Sequence, residues 1–219
     1  FWKGVAVMVI LTLFLCFFVG YFCGCISTGI ILGKIYGVNL KQHGSGNIGT
    51  TNALRTMGPA AGAITLLGDV AKTILPIVVM RLIFGGDDIS AHIIALYTGL
   101  GAVIGHNFPF YMKFQGGKGM AATAGMILAF GDLRIIGICL AVFIISVAFT
   151  RYVSLGSLLV NLCFPIGLII FYGGKKEFVH MLVLGLIFPI LSIIKHRENI
   201  KRLLHGTERK LSFHKDKDA

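Results

Sequence analysis

Carboxylates are scarce in this chain. Nine Asp and Glu face twenty Lys and Arg over 219 residues, a formal charge of +11. Charged residues amount to 13%, about half the roughly 25% of a soluble domain, while hydrophobic residues reach 56% and mean hydropathy is +0.86. Those proportions exclude an ordinary soluble fold and imply a polytopic membrane protein. They also exclude nucleic acid as the partner: that reading needs a basic soluble face, and here the cations sit in short loops and a tail beside apolar runs. Paired cysteines are missing as well. Cys16, Cys23, Cys25, Cys139 and Cys163 lie in apolar segments without a C-x-x-C spacing, so they read as small core hydrophobes and no disulfide or metal framework follows.

Several catalytic signatures are absent too. There is no G-x-S-x-G elbow. A Walker A loop fails around Lys118, because Met112 stands where its first glycine belongs and Gly119 where Ser or Thr belongs. An H-x-x-x-x-D pair fails at both His106 and His196, which are followed five residues later by Tyr111 and Lys201. His43, His92, His180, His205 and His214 show no metal-ligand spacing, and no acid cluster marks a magnesium site. Neither a metal nor a cofactor is expected.

What is present is oil interrupted by polar clusters. Seven apolar segments, at about 5–33, 58–84, 91–106, 117–131, 135–150, 154–172 and 178–194, approach the roughly 20 residues a crossing needs. The first is longer than a crossing requires and is expected to tilt or protrude. The fourth, GKGMAATAGMILAFG, is short enough to suit a re-entrant segment as well. A full crossing by it keeps Lys34, Lys41, Arg55, Lys113, Lys118 and Arg151 on one side with the basic tail, against Lys3, Arg81, Arg134, Lys175 and Lys176 opposite. The positive-inside rule then puts the N-terminus outside and the C-terminus in the cytoplasm. The acids Asp87, Asp88, Asp132 and Glu177 fall on the outer side, so the three inner loops hold six cations and no carboxylate. The predicted fold is an all-α integral membrane protein of seven transmembrane helices: residues 1–196 form the membrane domain and 197–219 a basic cytoplasmic tail. No obligate protein partner is evident.

Within the segments, Gly20 and Gly24, Gly29 and Gly33, and Gly101 and Gly105 stand four apart and predict close helix contacts. Asp69 and Lys72 share one helical face. Either they pair to lock helices beneath the polar loops, or Lys72 reaches a ligand and Asp69 orients it.

Three polar clusters fall on the predicted cytoplasmic face. GSGNIGTTNALR, residues 44–55, offers glycine backbone and neutral donors (Ser45, Gly46, Asn47, Asn52) to an anion, with Arg55 able to grip a phosphate bidentately. GHNFPFYMKFQGGKGMA, residues 105–121, places His106 at the end of one segment and Gly116, Gly117 and Lys118 at the start of the next. RYVSLGSL, residues 151–158, supplies Ser154 and Ser157 as N-caps or phosphate donors. Beyond the last segment, KHRENIKRLLHGTERKL reads as a basic amphipathic helix on which His196 and Asn199 share a face.

Taken together, SGNIGTTNALR, GHNFPFYMKFQGGKG, RYVSLGS and KHRENIKRL resemble, in order and spacing, the bacterial acyl-phosphate:glycerol-3-phosphate acyltransferase family of the PlsY type. The resemblance covers most of the chain. It implies seven transmembrane helices, a site facing the cytoplasm, and transfer of a fatty acyl group from acyl phosphate to the 1-hydroxyl of glycerol 3-phosphate, in a bacterial inner membrane. Ser45, Asn47, Arg55, Lys118, Ser154 and His196 would carry the reaction. Gly46, Asn52, Lys72, His106, Gly117 and Asn199 would bind substrate, and membrane lipids would surround the acyl chain. The chain departs from the family at GCISTG, where a serine and a proline are expected near Cys25 and Ser27, and at Thr50, where alanine is common. A rival from another class is a transporter or channel for a phosphate-type anion, built on short helices whose N-termini face the ligand. It fits less well, because the polar clusters sit at one surface and no repeat is visible.

Overall fold

The structure, a computed structural model, describes residues 2–86 and 89–211. Asp87 and Asp88, and the tail residues His214, Lys215 and Lys217, lie outside the described residues. The described chain is all helix and loop: α1 (Trp2–Cys25), α2 (Thr28–Ile35), α3 (Thr50–Met57), α4 (Pro59–Phe84), α5 (Ala91–Asn107), α6 (Met120–Phe130), α7 (Leu133–Thr150), α8 (Val153–Tyr172), α9 (Phe178–Lys195) and α10 (Arg197–Leu204), with a 3-10 turn at Phe110–Met112. Six spans are long and apolar enough to cross a bilayer, the first being α1 and α2 counted together as Gly4–Ile35. The apolar α6 has only 11 residues, roughly 16 Å at 1.5 Å per residue against a hydrocarbon core of about 30 Å. Its sequence reads longer because the residues before it, Gln115 to Gly119, are spent on irregular backbone.

The long first segment neither tilts nor protrudes as one rod. It breaks at Ile26 and Ser27 without the proline expected there. Ser27 accepts from the Ile30 N–H and caps α2. The carbonyls freed by the break find donors: Lys72 Nζ on Ile26 O at 2.6 Å and Tyr111 Oη on Cys25 O at 2.7 Å. An unpaired carbonyl in an apolar layer costs several kcal/mol, so those two side chains are what let the helix change direction.

Gly20 and Gly24 of α1 meet Thr98 and Ala102 of α5, while Gly101 and Gly105 of α5 meet Phe17 and Tyr21 of α1. A Cβ at any of these four would lie 2.0–2.1 Å from a backbone carbonyl oxygen. The four-residue spacing thus marks one tight crossing, as expected. Gly29 and Gly33 instead back onto the loop carbonyls of Ile48 and Val38, not onto a second helix. Phe130, Phe164 and Phe188 stack edge to face through the centre, with ring centroids 5.6 and 5.8 Å apart.

At the end of the bundle away from the polar clusters, Arg81 donates to Phe130 O at 3.2 Å and to Ala129 O, closing the C-terminus of α6. Asp132 caps α7 and accepts from Arg134 and Tyr172 at 2.7 and 3.0 Å. The other end gathers all four polar clusters.

Candidate active site

The first cluster is a loop held open by one amide. Asn52, on α3, donates from Nδ2 to Leu40 O and His43 O, each at 3.0 Å, and accepts the Ser45 N–H at 2.8 Å. Its side chain is thereby spent inside the loop and buried. Gly44 and Gly46 take positive φ of 61° and 71°, which lets Ser45 and Gly46 turn outward at the surface. Arg55 ends the same short helix, buried, with Nη2 donating to Lys210 O at 3.2 Å.

The second cluster is a glycine loop folded against His106. Gly117 N–H donates to His106 O at 3.0 Å and Gly116 N–H to Asn107 O at 3.1 Å. A Cβ on Gly117 would lie 2.1 Å from His106 Nε2. His106 Nδ1 accepts from Lys72 at 2.8 Å, which leaves its proton on Nε2. Lys72 in turn forms an ion pair with Asp69 at 2.9 Å. Asp69 and Lys72 pair as either reading requires, and Asp69, Lys72 and His106 are all buried. Gly119, at φ 79°, opens α6 without a side-chain cap for its first-turn amides.

Ser154 and Ser157 do not cap α8. Ser157 bonds back to Val153 O at 2.8 Å. Ser154 Oγ instead reaches the C-terminal strap, donating to Glu208 Oε1 at 2.8 Å. The basic helix turns a polar edge inward: Asn199 Nδ2 donates to Glu208 Oε1 at 2.6 Å, Arg202 Nε to Glu208 Oε2 at 2.7 Å, and Asn199 Oδ1 accepts from Lys118 Nζ. His196 is buried, with Nδ1 facing Ser192 O at 2.9 Å. Its Nε2 is left as the neutral acceptor.

Arg55, Lys118, Ser154, His196 and Asn199 therefore meet around one cationic space, while Ser45, Gly46 and Asn47 lie on the loop that Asn52 ties to α3. Asn52, Lys72 and His106 stand behind, each with partners inside the protein. The electrostatics are those of an anion site. Burial, opposed by Glu208 and reinforced by Arg202, Arg55 and Lys195, brings the Lys118 ammonium down to about 8. Burial and the Lys118 charge bring the His196 imidazole down to about 4, so it is neutral at pH 7. Burial alone would raise the Glu208 carboxyl, but its bonds from Asn199, Arg202 and Ser154 outweigh that and lower it.

Glu208 is the residue that sequence reasoning missed. The three polar loops lack acids, but the site does not, because Gly206 at φ 69° turns the chain back after α10. The spacing H-G-T-E after a helix was the available signal. Two apolar grooves adjoin these clusters, one of about 470 Å³ lined by Phe22, Ile30, Phe110 and Tyr111 and one of about 390 Å³ lined by Phe143, Val147, Arg151 and Leu211. Among the described residues no group of His, Cys, Asp and Glu could hold a metal ion.

Comparison with known proteins matches residues 14–206 to the family model for glycerol-3-phosphate acyltransferase. A glycerol-3-phosphate acyltransferase of Trichlorobacter lovleyi is 41% identical over 190 residues, covering 87% of this chain and 93% of the relative. One of Clostridioides difficile is 42% identical over 202 residues, covering 90% and 95%. Two crystal structures of PlsY, an integral membrane glycerol 3-phosphate acyltransferase, superpose with TM-scores of 0.77 and 0.76 at 30% and 33% identity, covering 93% and 92% of this chain and 95% and 96% of the PlsY chains. The first is a glycerol 3-phosphate form and the second a lysophosphatidic acid form.

Proposed function

The chain belongs to the glycerol-3-phosphate acyltransferase family, and from that premise we propose that it moves a fatty acyl group from acyl phosphate to the 1-hydroxyl of glycerol 3-phosphate. It is an integral membrane acyltransferase. We read it as a bacterial inner-membrane enzyme with seven crossings, the short α6 completing the seventh inside a sheath of protein, where irregular backbone is tolerated. Residues 1–196 are read as the acyltransferase domain and 197–219 as a tail on the cytoplasmic side with the site. The observation that carries the reading is the convergence of Arg55, Lys118, Ser154, His196 and Asn199 on one cationic space.

In the reaction, the hydroxyl oxygen attacks the acyl carbonyl, the carbon–oxygen bond to phosphate breaks, and lysophosphatidic acid and inorganic phosphate leave. An acyl phosphate arrives activated, so orientation and charge stabilisation are most of the task. Lys118, Ser154 and the first-turn amides of α6 beside Gly117 face the donor phosphate. Ser45, Gly46, Asn47 and Arg55 form the opposite wall, with His196 and Asn199 toward glycerol 3-phosphate. Asn52, Lys72 and His106 hold the two loops from behind. The hydroxyl proton goes to a phosphate oxygen, because His196 near 4 is a weaker base than a phosphate whose second pKa is about 6. The acyl chain lies in a lipid-open groove between helices, among membrane lipids.

Purified protein in detergent is expected to release phosphate from palmitoyl phosphate only when glycerol 3-phosphate is present. Equal or better use of palmitoyl-CoA would sink the donor assignment, and glycerol 3-phosphate flux into vesicles without turnover would sink the enzyme reading.

A further inference from the structure

Among the described residues, the acid at the centre of the site, Glu208, belongs to none of the loops. Residues 206–211 form a strap that returns from α10 across the cationic space. Leu211 exchanges two bonds with Arg151, N–H to O at 2.8 Å and Nη2 to O at 2.9 Å, while Lys210 O accepts from Arg55. Just before those anchors, the Glu208 side chain is 6% exposed. Three side-chain donors, Ser154 Oγ, Asn199 Nδ2 and Arg202 Nε, occupy its two oxygens.

We propose that Glu208 is a positioning residue for acyl transfer: its carboxylate orients Asn199 and Ser154 and supplies the negative charge that keeps the Lys118 ammonium in place. The proposal rests on the acyl-transfer reading and assigns that site a fourth wall. An amide has one donor end and one acceptor end. With Glu208 taking the Nδ2 end of Asn199, the Oδ1 end is forced toward Lys118, where the bond is found. A reversed amide would set oxygen against carboxylate and NH2 against ammonium. The chain Glu208, Asn199, Lys118 thus links the tail, α10 and the glycine loop.

The charge matters as much as the geometry. The groups that face Lys118 are Arg55 from α3, Lys195 and His196 at the end of α9, Asn199 and Arg202 from α10, and Glu208 from the strap. Two of these, Arg55 and Arg202, are permanent cations, and Lys195 adds a third charge at neutral pH. A buried ammonium among them loses its proton readily, and Glu208 is the opposing charge that retains it. Deprotonated Lys118 would no longer stabilise a leaving phosphate, so the alkaline limb of the rate profile reports on Glu208.

The test is the pH dependence of kcat/KM for glycerol 3-phosphate from pH 6 to 10, with palmitoyl phosphate as donor. Wild-type turnover is measured first, and its absence would remove the acyl-transfer reading itself. Given turnover, Glu208→Gln is expected to move the alkaline limb down by about one pH unit or more and to lower kcat more than it raises KM. Glu208→Asp, which keeps the charge, is expected to keep the limb near its wild-type position at a reduced rate. Equal losses in both variants with an unmoved limb would reduce Glu208 to a structural strap residue and overturn the proposal, as would wild-type behaviour in Glu208→Gln. Where the Glu208 variants do not fold, Arg202→Gln serves. It removes a cation from the rim and is expected to raise the limb; an unmoved or lowered limb there overturns the proposal.

Discussion

Replacing Gly117 by alanine tests the architecture of the site more sharply than removing any charge. The added Cβ would lie 2.1 Å from His106 Nε2, 2.9 Å from Cε1 and 3.0 Å from Cδ2. A comfortable contact is about 3.5 Å or more, so the loop or the ring must retreat by over about 1 Å. The ring has little freedom, being 4% exposed and hydrogen-bonded through Nδ1 to a lysine that is itself fixed on Asp69 and Ile26 O. The loop is the softer partner, and Lys118 is the next residue. A displacement of about 1 Å in a positioning group costs about 100-fold in rate, whereas overpacking of this kind costs stability only about 1–3 kcal/mol. Gly117→Ala is therefore expected to fold, to keep most of its thermal stability in detergent, and to lose about two orders of magnitude in phosphate release. Gly174→Ala, with nothing within 4 Å of its Cβ, is the control and should behave as wild type. Combining Gly117→Ala with His106→Ala opens the space again, and the two losses should then fall short of additive. A Gly117→Ala enzyme at wild-type rate, or a double variant with fully additive losses, would refute the argument that His106 sets the position of the loop.

Alanine at Arg55 or at Lys118 is expected to cut kcat/KM at least tenfold, about 1.4 kcal/mol of transition-state stabilisation, measured by phosphate release; folded variants at near-wild-type rate would count against both. Gly101→Ala forces a Cβ to 2.0 Å from Phe17 O and should lower the thermal midpoint through the α1–α5 crossing, with activity per folded molecule unchanged. His196 falls from 6.5 to about 4, so its contribution to stability is present above about 6.5 and is lost as pH falls toward 4. The full difference is about 3 kcal/mol, and His196→Gln should flatten the slope of thermal stability between pH 6.5 and 4. In a background without the native cysteines, Gly46→Cys should resist an impermeant external thiol reagent and Gly174→Cys should react; the reverse pattern would invert the proposed orientation.

The membrane class, the helical content and the glycine crossing of α1 on α5 were legible because each depends on local composition or spacing. Four-residue glycine pairs reach the surface of a helix at one place, and that is where Thr98, Ala102, Phe17 and Tyr21 were found. The break at Ile26 was not legible, since no proline announces it. Its carbonyls are satisfied by Lys72 and Tyr111, which lie 46 and 86 residues further along the chain. Ser154 was half legible. As a hydroxyl at a helix start it read as a cap or a phosphate donor, and the strap residue 54 positions later that it bonds to was not legible. Asn52 read as a ligand donor because it stands among ligand-like residues; its bonds to three backbone groups of the loop depend on how that loop folds and were not legible.

The same division explains how a fold so poor in acids holds a site so rich in cations. Each loop is fixed from behind by groups that add little charge to the pocket itself: Asn52 is neutral, and Lys72 is balanced by Asp69. The cations that face inward, Arg55, Lys118, Lys195 and Arg202, are tied to Lys210 O, the Asn199 amide oxygen, Asn107 O and Glu208. Among the described residues, Glu208 is the carboxylate set against these cations, and a cation-rich, partly buried space of this kind suits two phosphate-bearing substrates. Without Glu208 the neighbouring cations would push the proton off Lys118. Carried on a strap and not on a loop, that carboxylate keeps the ammonium charged and leaves the loops to the substrates.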